Sequence, residues 1–461
     1  MAVWNNILLS YMLHFNRTDA EFFKLEYELA FNKIISCNGE RLSTRAFVTD
    51  GIHESPDMSS RDKGVTYISA KCVKDNEFSL DNCIFISEVQ HRNNPRTQLQ
   101  PFDVIITTVG TIGNVAVVSD KIIPSNSDRH VGIIRIKDFD ELSPFYLSTF
   151  LNSKYGRFQS LREAAGNVQL NLYVRNIGNI VVPRFGQLER EISDLTKKAY
   201  CLRESSKEVY IQAQQSLESE LGLDKLHFDK PVSYTAQFSD LEMSHRNDAQ
   251  HYQPRFTQLL EHLEKFPTKR VREVCRYNRR GIQPIYSDNG THAVVNSQHL
   301  GEKHINYDGL QKTTERAFNA SPEAHIQQDD LLIYTTGAYI GRTNVYLDDI
   351  PAFASNHVNI LRLSPQIDHA YMAMVFQSIV GQFQTQKYAR GSAQAELYPT
   401  DINKFVVPLL QPEKQTEIGN LVRESLVKKR ESSQLLDQAK SRVEQLIEEA
   451  VGNCSGTHPG L

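Results

Sequence analysis

The sequence has few cysteines and none of the spacings that build metal sites. Six occur among 461 residues: Cys37, Cys72, Cys83, Cys201, Cys275 and Cys454. None forms a CxxC pair and no histidine cluster has zinc-site spacing, so the sequence offers no zinc finger. We therefore expect reduced thiols in a cytosolic protein, and a cytoplasmic location.

Long hydrophobic runs and a basic surplus are missing as well. The N-terminal stretch MAVWNNILLSYMLHF is apolar but lacks a charged n-region and a small-residue cleavage site. It is also too short to span a bilayer, so we expect an amphipathic packing segment and no membrane partner. The formal net charge is −4, whereas a DNA-binding domain usually carries excess positive charge. Binding to DNA would therefore need a basic face that acidic helices elsewhere offset.

Known catalytic motifs are absent from the sequence. It contains no GxxxxGK[ST] phosphate loop, no HExxH or GxSxG, no amino-methyltransferase Asn/Asp-Pro-Pro-aromatic tetrapeptide and no convincing nuclease cluster. Its paired glycines also fail to make a GxGxxG fingerprint. We therefore predict a non-catalytic chain without cofactor-binding or metal-binding residues of its own.

What the sequence does contain is an internal repeat. DVIITTVGTIGNVAVV at Asp103 has a counterpart in DLLIYTTGAYIGRTNVYL at Asp330. Downstream, GNVQLNLYVRNIGNIVVP aligns without a gap with GSAQAELYPTDINKFVVP, and upstream NRTDAEFFKLEYE aligns with HRNDAQHYQPRFTQ. Because the matches keep their order and nearly constant separation, the chain is a duplicated module. The repeat positions singled out as structural are Asp103, Gly110, Gly113, Gly166, Asp330, Gly337, Gly341 and Gly391.

Each repeat has the same predicted elements, which together indicate an α+β fold. An amphipathic lead, from Asp19 to about Asn32 in the first repeat and from Asp248 to about Phe266 in the second, precedes a β-rich region. In that region VIITTV and VAVV, or LLIYTT and TNVYL, form a hairpin. CIFISEV could add a strand, and SPFYLSTFLNSKYGRFQSL and HAYMAMVFQSIVGQFQT have helical spacing. A long helix with an apolar seam closes each repeat, over 187–221 and 413–450.

The two long helices should pack on each other as an antiparallel coiled coil. Each would be about 50 Å long, enough to hold two modules roughly one DNA turn apart. The simpler alternative is an ordinary dimerisation or packing element. The predicted boundaries are a first β-rich domain with its lead at 1–185, a long spacer helix at 186–225, a second β-rich domain with its lead at 226–411, a second long spacer helix at 412–451 and a tail at 452–461.

Basic residues occur in several short clusters, the strongest being TKRVREVCRYNRRG. Arginine and lysine could neutralise phosphates, and arginine or glutamine could read base edges. The alternative is a solvated charged face. His130 and His357 occupy equivalent places and are better explained as structural residues beside a strand. The candidate DNA contacts are Arg92, Arg96, Arg129, Arg157, Arg162, Lys269, Arg270, Arg276, Arg279, Arg280, Gln283, Lys387 and Arg390.

The chain resembles the specificity subunit of a type I restriction–modification enzyme. The resemblance lies in the RTDAEFF and RNDAQHY leads, the paired hairpins, the GNVQLNLY and GSAQAELY segments that close on IVVP and FVVP, and the long helices. YNRRGIQP with VVNSQHL, from Tyr277 to Leu300, also resembles the start of a target-recognition domain of that family.

The resemblance implies two target-recognition domains that each read half of a split double-stranded DNA sequence. It implies two modification subunits that methylate adenine N6 with S-adenosylmethionine, and restriction subunits that use ATP and Mg²⁺. These cofactors belong to the partners. Three alternatives remain open: the recognition subunit of a two-subunit type II-like system, a stand-alone enzyme with degenerate motifs, and a coiled-coil scaffold that binds proteins only.

Overall fold

The computed structural model describes residues 7–80, 83–166, 169–228, 231–391 and 394–454. The chain divides into two compact units. The first unit comprises Met1–Leu202 and Arg430–Leu461, and the second comprises Arg203–Lys429. Parts of three sequence predictions lie outside the described residues: the start of the N-terminal segment, the residue pairs after Gly166 and Gly391, and the end of the tail.

The first unit contains eleven of the strands and the shorter helices of the first repeat. Its strands are β1 (Glu40–Arg41), β2 (Ala46–Asp50), β3 (Val65–Ile68), β4 (Val73–Lys74), β5 (Glu77–Phe78), β6 (Ile84–Ile86), β7 (Val104–Thr107), β8 (Val115–Val117), β9 (Ser125–Ser127), β10 (Val131–Ile136) and β11 (Val181–Val182). Its shorter helices are α1 (Leu9–Phe15), α2 (Leu25–Ile35), α3 (Leu42–Arg45), α4 (Glu88–Asn93), α5 (Pro144–Asn152), α6 (Lys154–Glu163) and α7 (Val174–Asn179).

The central sheet of the first unit has the order β2-β10-β7-β8 and is antiparallel throughout. Successive side chains of a strand point to opposite faces, and both faces of this sheet are buried. Val104 and Ile106 enter the core that α5 and α6 cover, whereas Ile105 enters a second core. This second core lies on the side of a smaller sheet, β6-β3-β9, in which β3 and β9 run parallel.

The second unit repeats this arrangement with its own elements. Its helices are α9 (Phe238–Ser244), α10 (Pro254–Leu263), α11 (Val271–Val274), α12 (Glu315–Asn319), α13 (His369–Gln377), α14 (Ile379–Tyr388) and α15 (Pro399–Ile402). Its strands are β12 (Thr268–Arg270), β13 (Cys275–Arg280), β14 (His292–Val295), β15 (Gln311–Thr313), β16 (His325–Ile326), β17 (Leu331–Tyr334), β18 (Thr343–Val345), β19 (Ala352–Ala354), β20 (Val358–Leu363) and β21 (Val406–Pro408).

The central sheet of the second unit, β13-β20-β17-β18, has the same order and directions as that of the first. Leu331 and Ile333 enter the core with the helices, and Leu332 enters the opposite core. The smaller sheet differs, because it has four strands in the order β15-β14-β19-β16. The two units therefore share a framework but differ in the smaller sheet next to it.

Two long helices, α8 (Gln187–Glu220) and α16 (Pro412–Cys454), each belong partly to both units. In the first unit Ile192 of α8 shares a core with Ala439 and Val443 of α16. In the second unit Ala213 and Leu217 share a core with Ile418. The earlier part of one helix thus meets the later part of the other, so the segments run antiparallel.

Polar residues on the seam of the long helices are hydrogen-bonded between the helices. Ser432 Oγ donates to the carbonyl of Ala199 at 2.7 Å in the first unit. In the second unit Ser206 Oγ donates to the carbonyl of Ser425 at 2.8 Å. Such buried bonds contribute about 1 kcal/mol each, and their small side chains let the backbones approach closely. The serine positions that weaken the sequence pattern are therefore part of the interface.

The structure confirms the predicted α+β fold, with two β-rich regions that are each followed by a long helix. Both predicted hairpins are present, as β7 with β8 and β17 with β18. CIFISEV contains β6, and the segments with helical spacing form α5, α6, α13 and α14. The second long helix extends to Cys454, a little further than predicted.

Candidate nucleic-acid interface

A buried aspartate begins the hairpin of each unit and binds an arginine on the adjacent strand. Arg135 Nε lies 2.9 Å from Asp103 Oδ1, and its Nη2 lies 2.7 Å from Oδ2. In the second unit Arg362 makes the same two contacts with Asp330, both at 2.7 Å. The aspartates are only 2% and 0% exposed. These bidentate pairs fix the hairpin to the sheet, so the repeated aspartates hold the framework together.

The lead of each unit is held by a second repeated ion pair. Arg17 binds Asp19, and Arg246 binds Asp248. Each arginine also donates from Nη2 to the backbone carbonyl just beyond α6 or α14, at 3.1 and 2.9 Å respectively. The guanidinium lowers the pKa of the aspartate in both units. The motif shared by the two leads therefore docks them onto equivalent helix ends.

All six repeated glycines have positive φ angles, between 74° and 143°: Gly110, Gly113, Gly166, Gly337, Gly341 and Gly391. Two of them, Gly113 and Gly341, lie where the hairpin loop meets a helix. A Cβ atom on Gly341 would lie 2.6 Å from the side chain of Thr385, and one on Gly113 would lie 3.1 Å from that of Ser160. Glycine allows the hairpin loop to pack against α14 or α6 in a conformation that other residues rarely adopt.

The strongest basic cluster of the sequence is divided between two sheets of the second unit. Lys269 and Arg270 lie on β12, which pairs with β21. Arg276 and Arg279 lie on β13, the edge strand of the central sheet. All four side chains are exposed, as is Gln283 just beyond β13. The cluster can therefore present charge along two neighbouring segments.

Arg280 differs from its neighbours because its guanidinium already contacts other groups of the protein. Its Nη2 donates to the carbonyl of Leu397 at 2.8 Å, and its guanidinium lies 4.7 Å from the ring centroid of Tyr398. Gln394 and Tyr398 line an adjoining cavity of about 460 Å³ together with Arg390. Arg280 thus supports a polar surface that contains an exposed tyrosine ring.

Lys387 and Arg390, near the end of α14, also have partners in the second unit. The half-buried ammonium of Lys387 donates to the carbonyl of His251 at 3.1 Å, and burial lowers the pKa of Lys387. Arg390 Nη2 lies 2.7 Å from Oδ1 of Asp401, yet the arginine side chain remains 48% exposed. Both cations face the same concave region.

The candidates of the first unit fall into two groups. Arg92, Arg96 and Arg129 are exposed, and Arg96 Nη1 lies 3.1 Å from Asp50 Oδ1. Arg157 points into the protein, where its guanidinium donates to an asparagine side chain at 2.6 Å. Burial lowers the pKa of Arg157. The exposed group can meet an external ligand without rearrangement, whereas Arg157 would first have to leave its partner.

The structure overturns the assignment of Arg162 as a DNA contact. Its side chain is only 1% exposed. The guanidinium lies 3.8 Å from the ring centroid of Phe22 and 4.2 Å from that of Phe31, with Phe15 on another side at 4.8 Å. The charge pattern was misleading because these rings come from the lead and from α1 before it, far away in the sequence. Arg162 anchors the lead to α6 and is inaccessible to a phosphate.

The equivalent histidines act mainly through their backbone carbonyls. His130 accepts from Thr108 N at 3.0 Å, and His357 accepts from Thr335 N at 3.0 Å. The His130 ring also lies 3.0 Å from an Asp128 carboxylate oxygen. Each carbonyl ties the start of a strand to the neighbouring hairpin, which is the structural role expected from the sequence.

Comparison with protein families gives one direct match. Residues 264–424 match the model of the type I restriction modification DNA specificity domain. This segment of the chain belongs to that DNA specificity domain family. The match lies within the second unit, and the first unit repeats its sheet order, buried ion pairs and glycine loops. The chain is the DNA specificity subunit of such a system, which is a non-catalytic part of a type I restriction–modification complex.

Two solved structures are similar along most of the chain. One is described as the S subunit of a type I restriction–modification system from M. genitalium; it is 11% identical, with 92% of this chain and 96% of that chain covered and a TM-score of 0.47. The other is the HsdS subunit from Thermoanaerobacter tengcongensis, 15% identical, with 89% and 95% covered and a TM-score of 0.28. Among curated proteins, no sequence matches this chain.

The described part of the specificity subunit contains no group of three or more histidine, cysteine, aspartate or glutamate side chains that could hold a metal ion. Within the same residues, no helix has the length and apolarity needed to cross a bilayer.

Sequence reasoning missed two exposed tyrosines that occupy equivalent repeat positions. Tyr173 is 56% exposed and Tyr398 is 38% exposed, each just before the short helix that follows the glycine loop. Both lie in the aligned segments GNVQLNLY and GSAQAELY, but neither was predicted as a contact. The signal was available, because the alignment of the two copies places a tyrosine at the same position in each.

Proposed function

We propose that this specificity subunit reads a bipartite DNA sequence, with one half-site bound by each unit. In this proposal the recognition domains are 1–185 and 226–411, and the spacer helices are 186–225 and 412–451. The subunit recruits two modification subunits that methylate adenine N6 with S-adenosylmethionine, and restriction subunits that use ATP and Mg²⁺. These partners follow from the family.

The observation that carries the proposal is a difference in charge at matched positions of one framework. The edge strands β2 and β13 can be aligned through the strands they pair with, β10 and β20. The equivalent arginines Arg135 of β10 and Arg362 of β20 fix the register of this alignment. In this alignment Thr49 matches Arg279, and Asp50 matches Arg280. A shared scaffold with opposite charge at the same strand end favours two different ligand surfaces, as two different half-sites require.

Of the two arginines at the end of β13, Arg279 is the exposed one, and its replacement gives a sharp test. We expect Arg279→Thr, which introduces the residue type of the first unit, to change the methylated sequence in one half-site only. Lys225→Thr is the control, because Lys225 is an exposed cation of the same unit away from β13. The complex is assembled with its modification subunits in a host, and methylated bases are mapped by single-molecule sequencing.

An exchange of residues 270–400 with those of another specificity subunit extends the test to the whole surface. We expect one half of the methylated sequence to change and the other to be retained. A change in both halves would contradict reading by separate units. Methylation without any sequence preference would instead favour a scaffold that binds proteins only.

A further inference from the structure

A concave basic pocket lies in the second unit, between its lead, β12 and the end of α14. Its volume is about 590 Å³. Six cationic side chains line it: Arg246, Arg270, Arg272, Lys387, Arg390 and Lys404. Only two carboxylates, Asp240 and Asp401, line it as well. This local excess is notable in a chain whose formal net charge is −4.

The internal ion pairs leave part of this positive charge available. Arg390 and Lys404 both contact the same oxygen of Asp401, at 2.7 and 3.0 Å, so one carboxylate holds two cations. Arg272 is exposed and has no ion-pair partner among the described residues. Burial lowers the pKa of Lys387, and an anion next to it would offset the cost of keeping this half-buried ammonium charged.

The first unit offers an internal comparison, because the same backbone bonds align the two regions. Leu42 N donates to the carbonyl of Ile180, as Val271 N does to that of Phe405, both at 2.8 Å. The side chains at the positions matched by this alignment differ greatly in charge between the two units. Arg272, Arg390 and Lys404 correspond to Ser43, Ala165 and Asn179.

Two further differences lower the accessible positive charge of the first unit. Lys387 corresponds to Arg162, which is enclosed by phenylalanine rings. Tyr388 corresponds to Glu163, which adds a carboxylate. Three of the six cations, Arg272, Arg390 and Lys404, are thus restricted to the second unit, whereas Arg246 and Arg270 match Arg17 and Arg41 of the first. A framework role would need these three cations in both units, so their restriction to the second unit points to a ligand.

We propose that this pocket binds a phosphate group of the DNA backbone, and that this contact exists in the second unit only. The proposal rests on the proposed function. Several lysine and arginine side chains that converge on one point can surround a phosphate, whereas a base edge requires hydrogen bonds in one plane. The pocket therefore suits a phosphate better than a base edge. Arg390 also lines the cavity that contains Gln394 and Tyr398, so the pocket adjoins the surface next to Arg280. The phosphate contact would fix the DNA in register while β13 reads the sequence.

The test replaces the three cations that are restricted to the second unit by their counterparts of the first unit, in the assembled complex. The variant carries Arg272→Ser, Arg390→Ala and Lys404→Asn, and DNA binding is measured by fluorescence anisotropy across a KCl series. Loss of one phosphate contact should reduce the steepness of log affinity against log salt concentration by about 0.9. The affinity lost relative to the unaltered complex should therefore be roughly eightfold larger at 0.1 M salt than at 1 M salt. Because phosphates carry no sequence information, cognate and non-cognate DNA should lose affinity equally.

The controls separate this proposal from the proposed function. Arg272→Ser alone removes one exposed cation and should weaken binding in the same direction even if the triple variant fails to fold. Lys225→Ser, outside the pocket, should leave the salt slope unchanged. An unchanged slope in both pocket variants overturns the phosphate contact, while sequence-specific binding by the unaltered complex keeps the proposed function intact.

Two other outcomes would also overturn the proposal. A loss confined to cognate DNA would make the pocket a base-reading site. Inorganic phosphate binding that disappears in the variants, with an unchanged salt slope, would make it a site for a free anion. Absence of any sequence preference in the unaltered complex would instead contradict the proposed function itself.

Discussion

Removal of one charge from the buried hairpin pair should destabilise the second unit strongly. In Asp330→Asn, Arg362 loses its carboxylate partner, while the new amide turns donors toward a guanidinium that can only donate. Breaking a buried pair costs about 3–5 kcal/mol. Because the arginine side chain is 27% exposed, water can partly replace the lost partner, so we expect a value near the lower limit, about 3 kcal/mol.

The free energy of unfolding is measured by urea denaturation followed by circular dichroism, with calorimetry as a second probe. For a unit of this size a loss of about 3 kcal/mol lowers its melting temperature by roughly 6–12 °C. Asp329→Asn is the matched control, because it makes the same chemical change one residue away at a less buried site. Its effect should stay within about 0.5 kcal/mol.

A second variant separates the pair from its surroundings. Combining Asp330→Asn with Arg362→Gln removes the uncompensated charge, so the double variant should lose clearly less stability than the sum of the two single variants. A loss below about 1 kcal/mol for Asp330→Asn would equate this pair with an exposed one and refute the reasoning.

Three further predictions concern packing, protonation and oxidation. Gly341→Ala should cost about 1–3 kcal/mol in urea denaturation, and more than Gly309→Ala, whose Cβ at similarly positive φ would meet open space; equal losses would contradict the close contact. Burial lowers the pKa of His251 from 6.5, so the neutral histidine contributes fully to stability above that pH and its contribution declines below it. His251→Phe should therefore reduce the dependence of the free energy of unfolding on pH, measured by denaturation at a series of pH values. Cys72 and Cys83 have Sγ atoms 2.9 Å apart, so mild oxidation with diamide should join them in an internal disulfide, and mass spectrometry after alkylation that finds both thiols free would refute this.

The elements closest to local sequence signals were predictable. The hairpins follow from alternating β-branched residues around glycine, and the long helices follow from uninterrupted apolar spacing. The repeat also indicated which residues belong to the framework, such as Asp103 and Asp330. These features depend on neighbours in the sequence or on comparison between the two copies.

Features that depend on distant contacts were beyond the sequence. The burial of Arg162 arises from rings of the lead, and Ser432 is satisfied by a carbonyl of the other long helix. The basic pocket joins residues near 246, 272 and 404, and only Arg270, Lys387 and Arg390 of its cations were predicted as contacts. Clusters of charge in sequence are therefore a poor guide to clusters in space, because β12 and β13 separate adjacent basic residues.

The division of α16 between the units has a consequence for synthesis on the ribosome. The second unit is made of one continuous stretch, Arg203–Lys429, so all its residues emerge before the rest of α16. The core of the first unit includes Ala439, Val443 and Ile447. Although its strands are translated first, that unit has to wait for almost the last helical turns before its core can close. A premature stop within α16 would thus leave the earliest-made part of the chain with exposed apolar surface, which is the state that chaperones and proteases recognise.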